Sequence, residues 1–232
     1  MLTFPRNPAI VAVIATLRDF DEIANLPRTH FDLCELRIDL LCRLSADLDV
    51  LVRKVPGPKI LTVRDPNEGG ANAISEVARL ELFERWLPLC DLIDVELRNL
   101  SRFSDLVQQA ESTGKGVIVS FHDFAQTPSL EELQEMLERC RTAKTQIFKV
   151  ATRVAQWSDV ETLAHLVQRN PEARLAAMGM GEFGKLSRLV LARLGSCLAY
   201  GSIGSAVAPG QWPVTELARL LSELFCEMTN LN

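Results

Sequence analysis

The sequence predicts a single closed (β/α)8 barrel of the TIM type, with residues 1–232 forming one domain. Three observations carry this expectation. Eight apolar, strand-like runs recur about 27 residues apart, the length of one strand–helix unit. Helix-length amphipathic segments separate them. No long linker, low-complexity stretch or charge block interrupts the alternation, so no domain boundary is marked. The alternative is an open doubly wound sheet, but eight units in about 230 residues are what barrel closure wants.

In chain order the runs are AIVAVIA (9–15), FDLCELRI (31–38), PKILTVR (58–64), LIDVEL (92–97), GVIVSFH (116–122), QIFKVAT (146–152), RLAAMGM (174–180) and CLAYGSI (197–203). The first, with Arg6 before it, imitates a signal-peptide core. Arg18, Asp19, Asp21 and Glu22 follow at once, so a core strand explains it better. Among the helices, SEVARLELFERWL (75–87) places Val77, Leu80, Phe83 and Leu87 on one stripe. SLEELQEMLERC (129–140) opens with Ser129 as N-cap and Glu132 as its capping-box partner, and Ser158 and Glu161 stand in the same relation in WSDVETLAHLVQR (157–169). KLSRLVLARL (185–194) and VTELARLLSELF (214–225) are apolar on one side.

Composition narrows the function classes. A hydrophobic fraction of 47% supports a sizeable core. A net charge of −5 with no Lys/Arg-rich run argues against nucleic acid. No apolar run approaches the roughly 18 residues of a membrane span. The six cysteines form no CxxC and read as reduced cysteines of a cytoplasmic protein. The three histidines lack metal-ligand spacing, so no metal site is expected.

Barrels of this kind carry their active sites at the C-terminal ends of the strands. Charged residues fall late in five consecutive runs: Glu35 and Arg37, Arg64, Asp94 and Glu96, His122 (with Ser120 on its face), and Lys149. Converging on one mouth, each needs a partner there or a ligand. GMGEFG (179–184) matches the dinucleotide fingerprint in spelling, yet the next strand ends without the acid that fingerprint requires. A Gly-rich turn that lets Arg188 reach the mouth fits better. The loop GSIGSAVAPGQWP (201–213) reads either as an active-site lid or as an ordinary closing loop.

Lys149 poses the sharpest question. Flanked by Ile147, Phe148, Val150 and Ala151, it sits where water does not follow. Desolvation favours a neutral amine, a nucleophile able to form a Schiff base with a ketone or aldehyde. The alternative is an ammonium paired with Glu96 or Asp94. His122 supplies an acid/base beside an imine, Glu68 in DPNEGG a carboxylate to orient it, and Arg37, Arg64 and Arg188 positive charge for an anionic substrate. These residues point to a Schiff-base barrel enzyme acting on a small anionic ketone.

The motifs ELR (35–37), TVRDPNEGG (62–70), DVEL (94–97), VSFHDF (119–124), FKVAT (148–152), MGMGEFGKLSR (178–188) and APGQ (208–211) occur in this order, and the chain resembles type I 3-dehydroquinate dehydratase from about Ile10 to Gln211. The resemblance implies a cofactor-free, metal-free homodimeric barrel of the shikimate pathway that turns 3-dehydroquinate into 3-dehydroshikimate and water. It implies that Lys149 forms the imine, His122 is the general acid/base and Glu68 orients and polarises it. Glu35, Arg37 and Arg64 would bind ring hydroxyls and the polar rim, Arg188 the substrate carboxylate, and Gln211 would close from the lid. Met178, Met180 and Tyr200 would form the apolar wall.

Two departures stand out: Val207 where many members carry serine, leaving Ser202 or Ser205 as replacements, and no serine in the first strand. The rivals are a class I aldolase, which wants a phosphate site on the last two loops, and a non-catalytic metabolite-binding barrel. The third is a fragment of a bifunctional dehydratase–shikimate dehydrogenase. The chain ends about 20 residues after APGQ, and the single-function form is the expectation.

Overall fold

In the computed structural model, residues 8–43, 47–71, 74–143 and 146–226 are described; Arg6 lies outside them. The elements alternate as expected. The first half is β1 (Ala9–Ile14), α1 (Leu17–Asn25), β2 (Leu33–Arg37), the single turn α2 (Ile38–Leu41), α3 (Leu48–Lys54), β3 (Lys59–Thr62), α4 (Glu76–Trp86), β4 (Leu92–Glu96) and α5 (Ser104–Ser112). The second half is β5 (Gly116–Asp123), α6 (Leu130–Thr142), β6 (Ile147–Arg153), α7 (Trp157–Arg169), β7 (Leu175–Met180), α8 (Gly184–Leu194), β8 (Leu198–Ser202), the two-residue β9 (Trp212–Pro213) and α9 (Val214–Cys226).

All strand pairs are parallel, in the order β7-β6-β5-β4-β3-β2-β1-β8-β9. Between β7 and β8 the seam is bridged by the Cys197 N–H to the Leu175 carbonyl (2.6 Å) and, near the mouth, by the Gly181 N–H to the Pro209 carbonyl (3.4 Å). The fold is thus the (β/α)8 barrel the sequence predicts. Alternate residues of each strand point inward. Val11, Leu33, Ile60, Leu92, Ile118 and Ile147 fill the lower interior, while the opposite faces pack against the helices. The lower barrel is therefore a dry plug, and only its upper layer is polar.

Three local expectations are corrected. Helix α7 begins at Trp157, with Gln156 and Asp159 as its capping box rather than Ser158 and Glu161. The Asp159 carboxylate accepts from the N–H groups of both Ala155 and Gln156, so the stronger acceptor starts the helix earlier. On α4, Val77 is 68% exposed, and the buried face is Arg79, Phe83 and Trp86, spaced i, i+4, i+7. Strand β3 ends at Thr62 rather than running to Arg64, because Arg79 Nε takes the Val63 carbonyl (2.9 Å) out of the ladder.

No disulfide joins any of the six cysteines among the described residues. No helix of the described residues is long and apolar enough to cross a membrane.

Candidate active site

The pleat sends every second strand residue into the barrel, so the polar strand ends meet at the C-terminal mouth. There Lys149 is buried at the floor of a cleft. Its Nζ donates to Asp94 Oδ2 (2.9 Å) and Glu35 Oε1 (3.2 Å) and lies 4.2 Å from the centre of the Tyr200 ring. The lysine is thus an ion-paired ammonium. One of the two partners named from sequence, Asp94, is present, and Glu35 stands in place of Glu96.

Arg64 separates the carboxylates. Its Nη2 lies 2.9 Å from Asp94 Oδ2 and 4.0 Å from Glu35 Oε1. Its Nη1 donates to Glu96 Oε1 (2.9 Å) and Ser120 Oγ (2.7 Å), and Ser120 in turn donates to Asp94 Oδ1 (2.6 Å). Thr62 Oγ1 donates to Glu35 Oε1 (2.9 Å). Burial by itself disfavours the Arg64 guanidinium, but Asp94, Glu96 and Glu35 outweigh it and raise its pKa well above the ordinary value. Burial likewise opposes the Asp94 carboxylate, and Arg64 and Lys149 override it, holding its pKa far below the usual range.

Glu68 lies on a one-turn 3-10 segment, Pro66–Glu68, just past β3. This turn folds back tightly: Asp65 Oδ1 caps Asn67 N–H (2.8 Å), Gly69 adopts φ +84°, and a Cβ on Gly70 would stand 2.2 Å from the Arg64 carbonyl oxygen. Glu68 Oε2 accepts the backbone N–H of His122 (2.9 Å) and lies 3.1 Å from His122 Nδ1. An oxygen already accepting one N–H accepts the Nδ1 proton as well, which leaves Nε2 as the free base. Burial, then the Arg64 and Lys149 cations, hold the His122 pKa well below its ordinary value, so the imidazole is neutral. Burial, then Glu96, push the Glu68 carboxyl up to about 8.

Opposite stands Arg188 of α8, buried and with no carboxylate partner among the described residues. Its Nη1 touches Met178 Sδ and the Tyr200 carbonyl, both at 3.5 Å, and Nε has no acceptor. Burial alone lowers its pKa to about 10. Tyr200 Oη is also buried without a partner. Two buried donors without a protein acceptor, lining one cleft, suit an anionic group. Met178, Met180 and Ala151 form the cleft's apolar wall.

The loop between β8 and β9 covers the cleft with Val207, Ala208 and Gln211, whose Oε1 accepts the Val207 N–H (3.1 Å). It rests on α8 because Gly184 and Gly210 touch backbone to backbone: a Cβ on Gly210 would lie 2.8 Å from Gly184 Cα. Neither Ser202 nor Ser205 lines the cleft. Ser202 Oγ donates to the Trp212 carbonyl (3.4 Å), and Ser205 is exposed. Arg37 reaches the rim already bound to Asp39 through Nε (2.9 Å) and Nη2 (2.7 Å). Lys149, His122, Glu68, Glu35, Arg37, Arg64, Arg188 and Gln211 thus line one cleft, whereas Asp94, Glu96 and Ser120 do not line it. Sequence reasoning missed Asp65, Arg79 and Asn99, which lie behind it. The one legible signal was an arginine on the Phe83 and Trp86 face of α4.

A (β/α)8 barrel with a lysine-bearing polar cleft at its C-terminal mouth has the architecture of an enzyme. The Type I 3-dehydroquinase family model matches residues 9–227. The 3-dehydroquinate dehydratase of Thermodesulfovibrio yellowstonii is 32% identical over 218 residues, covering 91% of this chain and 94% of its own. That of Methanosarcina barkeri is 33% identical over 238 residues, covering 96% and 97%. The crystal structure of the type I 3-dehydroquinate dehydratase from Clostridium difficile, with covalently modified comenic acid, aligns with a TM-score of 0.86 at 26% identity, covering 97% of this chain and 96% of that one. The chain belongs to the type I 3-dehydroquinase family.

Proposed function

We propose that this chain is a hydro-lyase that converts 3-dehydroquinate to 3-dehydroshikimate and water through an imine on Lys149. The observation that carries the reading is one cleft holding a buried lysine, a histidine on the neighbouring strand set against Glu68, and an arginine with no carboxylate partner among the described residues.

Each group has work matched to its surroundings. Arg188 and Gln211 take the substrate carboxylate, the interaction for which a buried, unpaired guanidinium is suited. Glu35, Arg37 and Arg64 face the ring hydroxyls and the polar rim. Lys149 passes a proton to His122 Nε2 and attacks the C3 ketone; His122 returns that proton to the carbinolamine hydroxyl, which leaves as water, and a protonated imine remains. That cation takes the place of the ammonium between Asp94 and Glu35, so the buried carboxylates keep a positive partner. The imine draws electrons from C2, and His122 Nε2 removes a C2 proton to give an enamine. The enamine expels the C1 hydroxyl, which leaves as water with the proton from His122. Hydrolysis of the imine restores Lys149 and releases the conjugated enone. Glu68 keeps the Nδ1 proton in place, so Nε2 alone exchanges protons. The reaction balances with no external oxidant, reductant or cofactor. The same reading has the enzyme working in the cytoplasm as a homodimer, with no nucleic-acid or membrane partner.

Absorbance of the enone on addition of 3-dehydroquinate tests the reading. Wild type should generate it, and His122→Ala should lose about 10²- to 10⁴-fold in rate. A folded wild type that forms no enone overturns it.

A further inference from the structure

Arg79 lies outside the cleft, on α4, yet is almost fully buried. All three of its side-chain hydrogen bonds are with the segments that carry the site. Nε donates to the Val63 carbonyl (2.9 Å), Nη1 to Asp65 Oδ2 (3.2 Å) and Nη2 to Glu96 Oε2 (2.5 Å). Asn99 Nδ2 joins the same two carboxylates, at 2.7 Å from Asp65 and 3.1 Å from Glu96. The Phe103 ring, 5.3 Å from the guanidinium carbon, closes the outer side. Water is therefore no substitute for any of these donors.

Arg79 completes a row of buried charges of alternating sign: Lys149, Asp94, Arg64, Glu96, Arg79, Asp65. Its inner end is the amine in the cleft. Its outer end is Asp65, whose backbone carbonyl accepts from Glu68 N–H and Gly70 N–H, both at 2.9 Å, and whose own N–H donates to Glu96 Oε1 (2.8 Å). The turn bearing Glu68 thus hangs from Asp65, and Arg79 ties Asp65 and Glu96 together. A planar fork with three acceptors at fixed angles is a task for arginine, and lysine offers only a point charge.

We propose that Arg79 is a positioning residue of the reaction: it holds the Asp65–Gly70 turn so that the Glu68 carboxyl group meets His122 Nδ1. The inference rests on the roles of Glu68 and His122 in the proposed dehydration. It assigns Arg79 to proton transfer rather than to imine formation, because Lys149 keeps Asp94, Glu35 and Arg64 around it when the outer end of the row is loosened. Charge on Glu96 also bears on Glu68, since Glu96 is among the groups that push the Glu68 carboxyl up.

The test compares wild type with Arg79→Lys and Arg79→Met. Arg79→Lys retains the buried charge and is the variant that decides if Arg79→Met does not fold. Three readouts are taken: kcat and KM for 3-dehydroquinate, borohydride trapping at Lys149, and the proton NMR signal of the His122 Nδ1–H, readily assigned in a chain with three histidines. In folded Arg79→Lys, kcat should fall about 10- to 100-fold, the cost of a misplaced catalytic group. KM should change less than about threefold, trapping should persist, and the Nδ1–H signal should broaden or vanish while His30 and His165 signals stay. Folded Arg79→Lys with wild-type kcat and an unchanged Nδ1–H signal overturns the proposal. So does a loss of activity that follows only the loss of folded protein. Wild type that forms no enone overturns the dehydration reading instead, and is seen before any variant is made.

Discussion

The Nζ of Lys149 lies 2.9 Å from Oδ2 of Asp94, on strands β6 and β4 with β5 between them. The same oxygen is 2.9 Å from Arg64 Nη2. One fully buried carboxylate oxygen thus serves two cations, and its second oxygen accepts from Ser120.

This sharing ranks two substitutions. Asp94→Asn removes the charge between Arg64 and Lys149 and leaves each with one fewer buried partner, which should cost about 3–5 kcal/mol. Ser120→Ala removes hydrogen bonds to charged groups but no charge, and should cost about 1.5–3 kcal/mol. Denaturant unfolding at one pH gives both values. An equal or larger loss for Ser120→Ala contradicts the assignment of Asp94 as the keystone.

Glu68 couples the site to stability. Its carboxyl ordinarily titrates near 4.5, and burial in the folded state raises that to about 8. The folded protein therefore binds a proton that the unfolded chain has released, so this group's contribution is complete below about 4.5 and is lost as pH rises through 8. Wild type should lose more unfolding free energy between pH 6.5 and 8.5 than Glu68→Gln, which has no such proton. Parallel losses in the two proteins would show that Glu68 is not held in its neutral form.

Arg188 trades stability for binding. A buried guanidinium with no carboxylate partner is a cost to the ligand-free fold. Arg188→Met should unfold at the same or higher denaturant concentration than wild type. Its KM for 3-dehydroquinate should rise about 10- to 150-fold, the equivalent of a hydrogen-bonded charge. A variant that is destabilised with KM unchanged would mean that Arg188 is a structural residue.

The sequence carried much of this arrangement. Strand positions followed from apolar runs, and Glu35, Asp94, His122 and Lys149 stood out because charges on two-sided buried strands are rare. The pairing of those charges was not legible. Lys149 meets Glu35 across 114 residues of chain, a contact that spacing within one element does not encode. Arg79 hid for a related reason: on a helix it reads as an ordinary solvated charge, and only tertiary contact with Glu96 turns it inward. Val77 was misplaced in the same stroke, since the face that buries Arg79 exposes Val77. The absence of Ser202 and Ser205 from the cleft followed from loop geometry, where Gly184 against Gly210 sets how the loop before β9 lies.

The most direct measurement is borohydride reduction of the protein with 3-dehydroquinate, followed by intact mass and peptide mapping. The account predicts one covalent adduct per chain, on Lys149, absent without substrate and absent in Lys149→Ala. An active enzyme that yields no adduct, or an adduct on another lysine, contradicts it.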